Sequence, residues 1–123
     1  MRGKEDYFFV DTNIIVYCFD DANPGKKVKA ISIMNDLWEN RKGVLSLQVL
    51  KEFFVTVTFK LANKMDSADV INVVHDLLTW NLFLETKSSF EKSVDIVKKY
   101  RFSIWDAGIL SSAIMSNCSV LYS

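Results

Sequence analysis

Four short apolar runs, separated by longer stretches in which apolar residues recur every three or four positions, limit this chain to a few architectures. Residues 7–10 form a continuous apolar run, the pattern of a strand covered on both faces. Asp11-Thr12-Asn13 ends it with helix-capping chemistry, and 14–19 read as a short helix. After a loop at 20–23, Asn23-Pro24 marks a helix start, with Val28, Ile31, Met34 and Trp38 along one face. Gly43 breaks that helix, and 44–47 form a second apolar run. A helical pattern over 47–61 aligns Leu50, Phe53, Phe54, Val57 and Leu61. Asp66 and Asp69 are spaced to cap a helix carrying Val70, Val73, Val74, Leu77 and Leu78. Residues 82–84 suggest a third strand. Ser88 and Glu91 then read as a capping box for a helix presenting Phe90, Val94, Val97 and Tyr100. Ser103 and Asp106 repeat that spacing before Ile109, Ala113 and Ile114, and 120–122 form the last strand.

Strand–helix alternation at this spacing predicts an α/β fold with a largely parallel sheet. In such sheets ligands bind beyond the carboxyl ends of the strands. A chain of 123 residues fits one domain. A single Pro and four Gly favour long helices over a turn-rich β fold, and a half-hydrophobic composition excludes disorder. Lys+Arg and Asp+Glu both number 15, so no strongly basic nucleic-acid footprint exists, and contact with RNA requires charge sorted between faces. Cys18 and Cys118 form neither a metal-ligand spacing nor a disulfide framework, and read as buried thiols in a reducing compartment. No signal-peptide pattern is visible, and nothing approaches the roughly 20 apolar residues of a membrane span. The expectation is a soluble, cytoplasmic protein without a membrane partner.

Three acids stand out. Asp11 directly follows the first strand, where it would also serve as an N-cap. Glu52 is a lone acid among Val49, Phe53, Val55 and Thr56 on a helix that otherwise reads as apolar. Asp106 falls in the first turn of a helix, where the dipole stabilises a carboxylate. Each has an ordinary structural role by itself. As a set, at one strand end and two helix starts, they can converge on the carboxyl edge of the sheet. Clustered carboxylates repel unless protons or a cation compensate, and oxygen ligands suit a hard ion such as Mg²⁺ or Mn²⁺. Such an ion binds a phosphate oxygen, acidifies a bound water and steadies the leaving oxygen, which is what phosphodiester hydrolysis requires.

These residues resemble a known family. Phe8-Phe9-Val10-Asp11-Thr12-Asn13-Ile14-Ile15 resembles the opening of PIN-domain proteins, an apolar strand followed by D-[ST]-[NS] and an apolar residue. Val49-Leu50-Lys51-Glu52-Phe53 resembles the second acidic position of that family, and Ser103-Ile104-Trp105-Asp106-Ala107 the third. Val120-Leu121-Tyr122-Ser123 is similar to the late strand that ends in Ser or Thr. The resemblance implies a three-layer α/β/α sandwich around a central, mostly parallel sheet. It implies Mg²⁺- or Mn²⁺-dependent cleavage of RNA, with Asp11, Glu52 and Asp106 as catalytic metal ligands and Asn13 and Ser123 holding the outer shell or a substrate phosphate. The short form resembles VapC-type toxins of toxin–antitoxin pairs, which implies a cognate antitoxin and a homodimer. The family pattern has a further acidic residue just after position 123, then a last loop and strand. The expectation is therefore one PIN-like domain over 1–123 that lacks this final segment.

Two rivals differ in class. A phosphatase using Asp11 as nucleophile would carry a second Asp at position 13, which is Asn. A catalytically impaired PIN module would bind protein or RNA without cleaving it. His75, the only histidine, has no Cys or His partner nearby in sequence and reads as a packing or surface residue. Trp38 and Trp80 read as helix-face core positions, and Trp105 is set apart by adjoining Asp106.

Overall fold

The computed structural model describes residues 6–123. Residues 1–5, part of the expected domain, lie outside the described residues. Strands β1 (Phe8–Val10), β2 (Gly43–Ser46), β3 (Asn81–Phe83) and β4 (Val120–Tyr122) form one sheet in the order β3-β2-β1-β4, with every pairing parallel. Phe9 lies opposite Val44 on one side and Leu121 on the other. Phe9 and Val10 are fully buried, and every residue of β2 is buried. That is why these strands read as unbroken apolar runs: both faces of the sheet are covered.

The covering helices fall into two groups. Helices α1 (Thr12–Tyr17), α2 (Pro24–Asn40), α3 (Leu47–Val55) and α4 (Ser67–Leu77) pack in a chain of neighbours, with α2 and α3 against β2. Helices α5 (Lys87–Tyr100) and α6 (Ile104–Met115) pack on each other, with α6 against β2 and β4. The result is the expected PIN-like α/β/α sandwich. Phe53, Ile15, Leu45, Val49, Val57 and Val70 join Phe9 among the fully buried side chains of the core. Among the described residues no helix is long and apolar enough to cross a membrane.

Five details depart from the expected pattern. The buried line of α2 is Ala30 and Leu37, whereas Val28, Ile31 and Trp38 are exposed. On α5 the buried residues are Ser89, Ser93 and Ile96, and Phe90, Val94 and Tyr100 face outward. The α5–α6 contact is made between small side chains: Ser111 Oγ donates to the Ser89 carbonyl at 2.7 Å. Hydrophobic periodicity cannot register such a contact, because hydroxyls that return their protons to helix carbonyls pack like small apolar groups. The capping box of α5 is Thr86 with Ser89, each side chain accepting from the other's backbone N–H at 3.1 and 2.8 Å, in place of Ser88 with Glu91. The third strand begins at Asn81, whose side chain donates to the Arg41 and Gly43 carbonyls at 3.2 and 3.1 Å. Finally, α3 passes at Thr56–Lys60 into a π-helical turn, in which the Leu61 N–H donates to the Thr56 carbonyl at 3.0 Å. Such turns insert one residue into a helix and re-aim the side chains after it.

Gly43 has no room for a side chain, since a Cβ there would overlap Trp80 Cζ3. Cys18 is half-buried, and its Sγ donates to the Ile14 carbonyl at 3.5 Å. Burial pushes its thiol up to about 11. At pH 8 its thiolate fraction, and so its alkylation rate by iodoacetamide, should fall roughly a hundredfold below that of an exposed thiol. Denaturant should restore the rate. Equal labelling of Cys18 in native and denatured protein, followed by peptide mass spectrometry, would show an open, ionised thiol instead.

Candidate active site

Each sequence-selected acid owes its place to a local rule. Asp11 ends β1 and caps α1, its carboxylate accepting the Thr12 N–H at 2.6 Å. Its own N–H donates to the Tyr122 carbonyl at 2.8 Å, which ties the end of β1 to the end of β4. Glu52 stands on α3, which starts where β2 ends, with Ser46 Oγ accepting the Val49 N–H as the cap. Asp106 lies in the first turn of α6, where Ser103 Oγ accepts its N–H at 3.1 Å. The capping role at that helix thus falls to Ser103 and the backbone of Asp106, and leaves the Asp106 carboxylate exposed to solvent.

Asp11, Glu52 and Asp106 line one cleft of about 550 Å³ beyond the carboxyl ends of the strands. Asn13, Lys51, Lys60 and Trp105 line it with them. Ser123 follows Tyr122 at the same sheet edge but is not among the lining residues. His75 is exposed on α4 and lines none of the described cavities that contain these acids. Two polar residues that the sequence did not single out hold Glu52. Thr12 Oγ1 donates to Glu52 Oε1 at 2.6 Å, and Gln48 Nε2 donates to Glu52 Oε2 at 3.2 Å. Gln48 Nε2 also donates to the Trp105 carbonyl at 2.8 Å, so one amide joins α3 to the start of α6.

The electrostatics follow from this crowding. Burial raises the Asp11 carboxyl above its ordinary range, and repulsion from Glu52 and Asp106 adds to the rise, against the Thr12 N–H, which lowers it. The folded chain therefore holds that proton more tightly than the unfolded chain. The associated stabilisation is present below the ordinary carboxylate pKa and is lost as pH rises through the raised value. At neutral pH the ionised Asp11 is a net cost that a cation would offset. Among the described residues, no three His, Cys, Asp or Glu side chains are gathered tightly enough to hold an ion as they stand. The donor set is all carboxylate oxygen, the chemistry that suits a hard divalent ion. Lys51 and Lys60 place positive charge in the same cleft, so a chain of zero net charge still sorts its charge locally.

No family model matches the sequence, and no curated protein matches it. Solved structures do match the fold. A chain of a toxin–antitoxin complex from Klebsiella pneumoniae aligns over 94% of this chain and 83% of its own length, at 19% identity and a TM-score of 0.67. VapC20 from Mycobacterium tuberculosis, a toxin that cleaves the sarcin–ricin loop, aligns over 94% of this chain and 88% of its own length, at 16% identity and a TM-score of 0.70. In fold, then, the chain is similar to a VapC-type toxin: a PIN-like sandwich with its acids at the carboxyl edge of the sheet.

Proposed function

We propose that the chain is a metal-dependent endoribonuclease, the toxin of a toxin–antitoxin pair, acting in the cytoplasm. The observation that carries this reading is the single cleft in which Asp11, Glu52 and Asp106 meet beside Lys51 and Lys60. In this reading the three carboxylates hold Mg²⁺ or Mn²⁺, which when bound would acidify a water and stabilise the leaving oxygen. Thr12 and Gln48 fix the orientation of Glu52, Lys51 and Lys60 draw in the RNA backbone, and Asn13 and Ser123 contact the outer shell or a phosphate. The fold likeness to an RNA-cleaving toxin and to a toxin–antitoxin complex supports the substrate and an antitoxin partner. A homodimer is the second partner we propose. Exposed Val28, Ile31 and Trp38 on α2 and, on the other helical layer, Phe90, Val94 and Tyr100 on α5 are two separate apolar surfaces that such partners would cover.

The test is cleavage of a labelled single-stranded RNA by the purified chain with Mn²⁺, with Mg²⁺ and with EDTA. Cleavage that requires the ion supports the reading. RNA binding without cleavage at any ion concentration favours the inert module.

A linked measurement is thermal stability. An ion that binds only the folded chain stabilises it by RT ln(1 + [L]/Kd), about 1.4 kcal/mol at ten times Kd. At pH 7, Mn²⁺ should raise the Tm of the wild type, and the Asp11→Asn/Glu52→Gln/Asp106→Asn variant should show no rise. As pH falls and Asp11 takes up its proton, the gain should shrink. An equal gain in both proteins would place the ion elsewhere.

A further inference from the structure

Next to the carboxylate cleft lies a second cavity of about 470 Å³, at the carboxyl ends of β2 and β3 and between α3, α5 and α6. The two share Lys51, Glu52 and Trp105, so they adjoin along those residues. Phosphodiester hydrolysis does not need this second space. Its volume falls in the range of sites that enclose small organic groups, about 300–1,000 Å³.

Two features define what would fit. The first is Trp105, 64% exposed at the divide between the cavities. Its carbonyl is fixed by Gln48 Nε2 at 2.8 Å, so the backbone that carries the ring is tied to the helix of Glu52. An exposed indole carried on a tied backbone offers a stacking surface for a planar ring. The second feature is the direction of the hydrogen bonds in the lining. Ser93 and Ser111 both donate their hydroxyl protons to the Ser89 carbonyl, at 3.0 and 2.7 Å. Ser89 donates to the Thr86 carbonyl at 3.0 Å, and Ser112 to the Gly108 carbonyl at 2.8 Å. With those protons committed, none of these four nearly buried hydroxyls can donate to a ligand. Glu52 and Glu85 add carboxylates, and the Gln48 amide already donates to Glu52 and Trp105. Among the lining side chains acceptors outnumber donors, the donors being the Ser46 hydroxyl, which accepts from the Val49 N–H and keeps its own proton, and the Lys51 ammonium at the junction with the cleft.

We propose that this cavity takes a nucleobase of single-stranded RNA adjacent to the phosphate in the carboxylate cleft, stacked on Trp105, and that its acceptor lining selects a base with an exocyclic amine over uracil. The proposal rests on the ribonuclease reading and adds to it the substrate position that confers preference. Bases that stack on a protein ring must be unpaired and splayed from their neighbours, which single strands allow. Adenine, cytosine and guanine each direct an N–H₂ group at such a lining. Uracil offers one N–H flanked by two carbonyl oxygens, and those oxygens would face the Glu52 and Glu85 carboxylates with only Ser46 and Lys51 as side-chain donors. A polar atom left unpaired in this way is penalised even where the shape fits.

Binding in EDTA separates this proposal from cleavage. The full chain is titrated into fluorescein-labelled pentamers of cytidine and of uridine, read by fluorescence anisotropy. The two pyrimidines differ at one exocyclic group and at the protonation of the adjacent ring nitrogen. The expected result is at least about fivefold tighter binding of the cytidine pentamer. Trp105→Ala should weaken that binding about tenfold or more, and Trp105→Phe should recover most of it. Glu85→Gln, an exposed change that adds a donor, should narrow the ratio between the two pentamers. Asp106→Asn should keep the ratio whatever its cleavage rate. Circular dichroism confirms that each variant is folded. Equal affinity for the two pentamers, or an unchanged affinity in folded Trp105→Ala, overturns the proposal. Absence of cleavage with the preference intact would instead overturn the ribonuclease reading alone.

Discussion

Replacing Asp106 by Asn is expected to abolish Mn²⁺-dependent RNA cleavage and to leave the fold in place. The two halves of that expectation rest on different atoms. Stability at the start of α6 depends on the Asp106 backbone N–H and the Ser103 hydroxyl that accepts it, and the substitution touches neither. What the fold loses is one negative charge beside a helix N-terminus, about 0.3–1 kcal/mol. The carboxylate itself is exposed in the cleft and has only Asp11 and Glu52 as acidic company there. An amide of the same shape neither carries the charge that a divalent ion requires nor offers two equivalent oxygens. Losing an outer partner of a metal ligand costs roughly 10–100-fold in affinity or activity, and losing a ligand should cost more than that. Initial rates on one labelled RNA, measured alongside a thermal melt, read both quantities. A variant that melts within a few degrees of the wild type and cleaves at its rate would remove Asp106 from the metal set.

The outline of this site was legible because it depends on strong, local signals. An unbroken apolar run ending in Asp11 fits a covered strand with an acid at its end. A single acid on the apolar α3 draws attention to Glu52. The parallel sheet then brings both to one edge. Two kinds of information were missing from the pattern. Facing surfaces of small residues, such as Ser89 and Ser93 against Ser111, leave no hydrophobic trace, so hydrophobic periodicity on α5 selects its exposed face as the inner one. Likewise Ala30 buries closely on α2 where Val28 would have been the choice by hydrophobicity. The second gap is the support of Glu52. Thr12 adjoins Asp11, and Gln48 precedes Glu52 by four residues, the spacing at which helix side chains meet. Both signals were present in the sequence, yet neutral side chains gain meaning only once the carboxylate they hold is located. The π-turn at Thr56–Lys60 had no such signal; it surfaces only in the hydrogen bond from Leu61 to Thr56, and both its first and last residues line the cleft.

That support should matter to the chemistry. Thr12→Val keeps the shape of a buried side chain and removes the 2.6 Å bond to Glu52 Oε1. Gln48→Met keeps the length and removes both the bond to Glu52 and the bond to the Trp105 carbonyl. Each is expected to lower cleavage about 10–100-fold at limiting Mn²⁺, the range for partners that orient a metal ligand. If these residues act by positioning Glu52, raising Mn²⁺ should recover much of the rate. In contrast, Asp106→Asn should stay inactive at any Mn²⁺ concentration. The double variant should lose less than the product of the two single losses, because both act through the same carboxylate. Gly108 offers an independent check that leaves Gln48 in place. A Cβ at position 108 would lie 2.6 Å from Gln48 Oε1, so Gly108→Ala must push the amide aside. That variant should reproduce part of the Gln48→Met loss by displacement alone. In a Gln48→Met background, where no Gln48 amide remains to be displaced, the added alanine should cost little. If Gly108→Ala costs as much there as in the wild type, it acts by some route other than Gln48, and the link between Gln48, Glu52 and α6 is not what sets the rate.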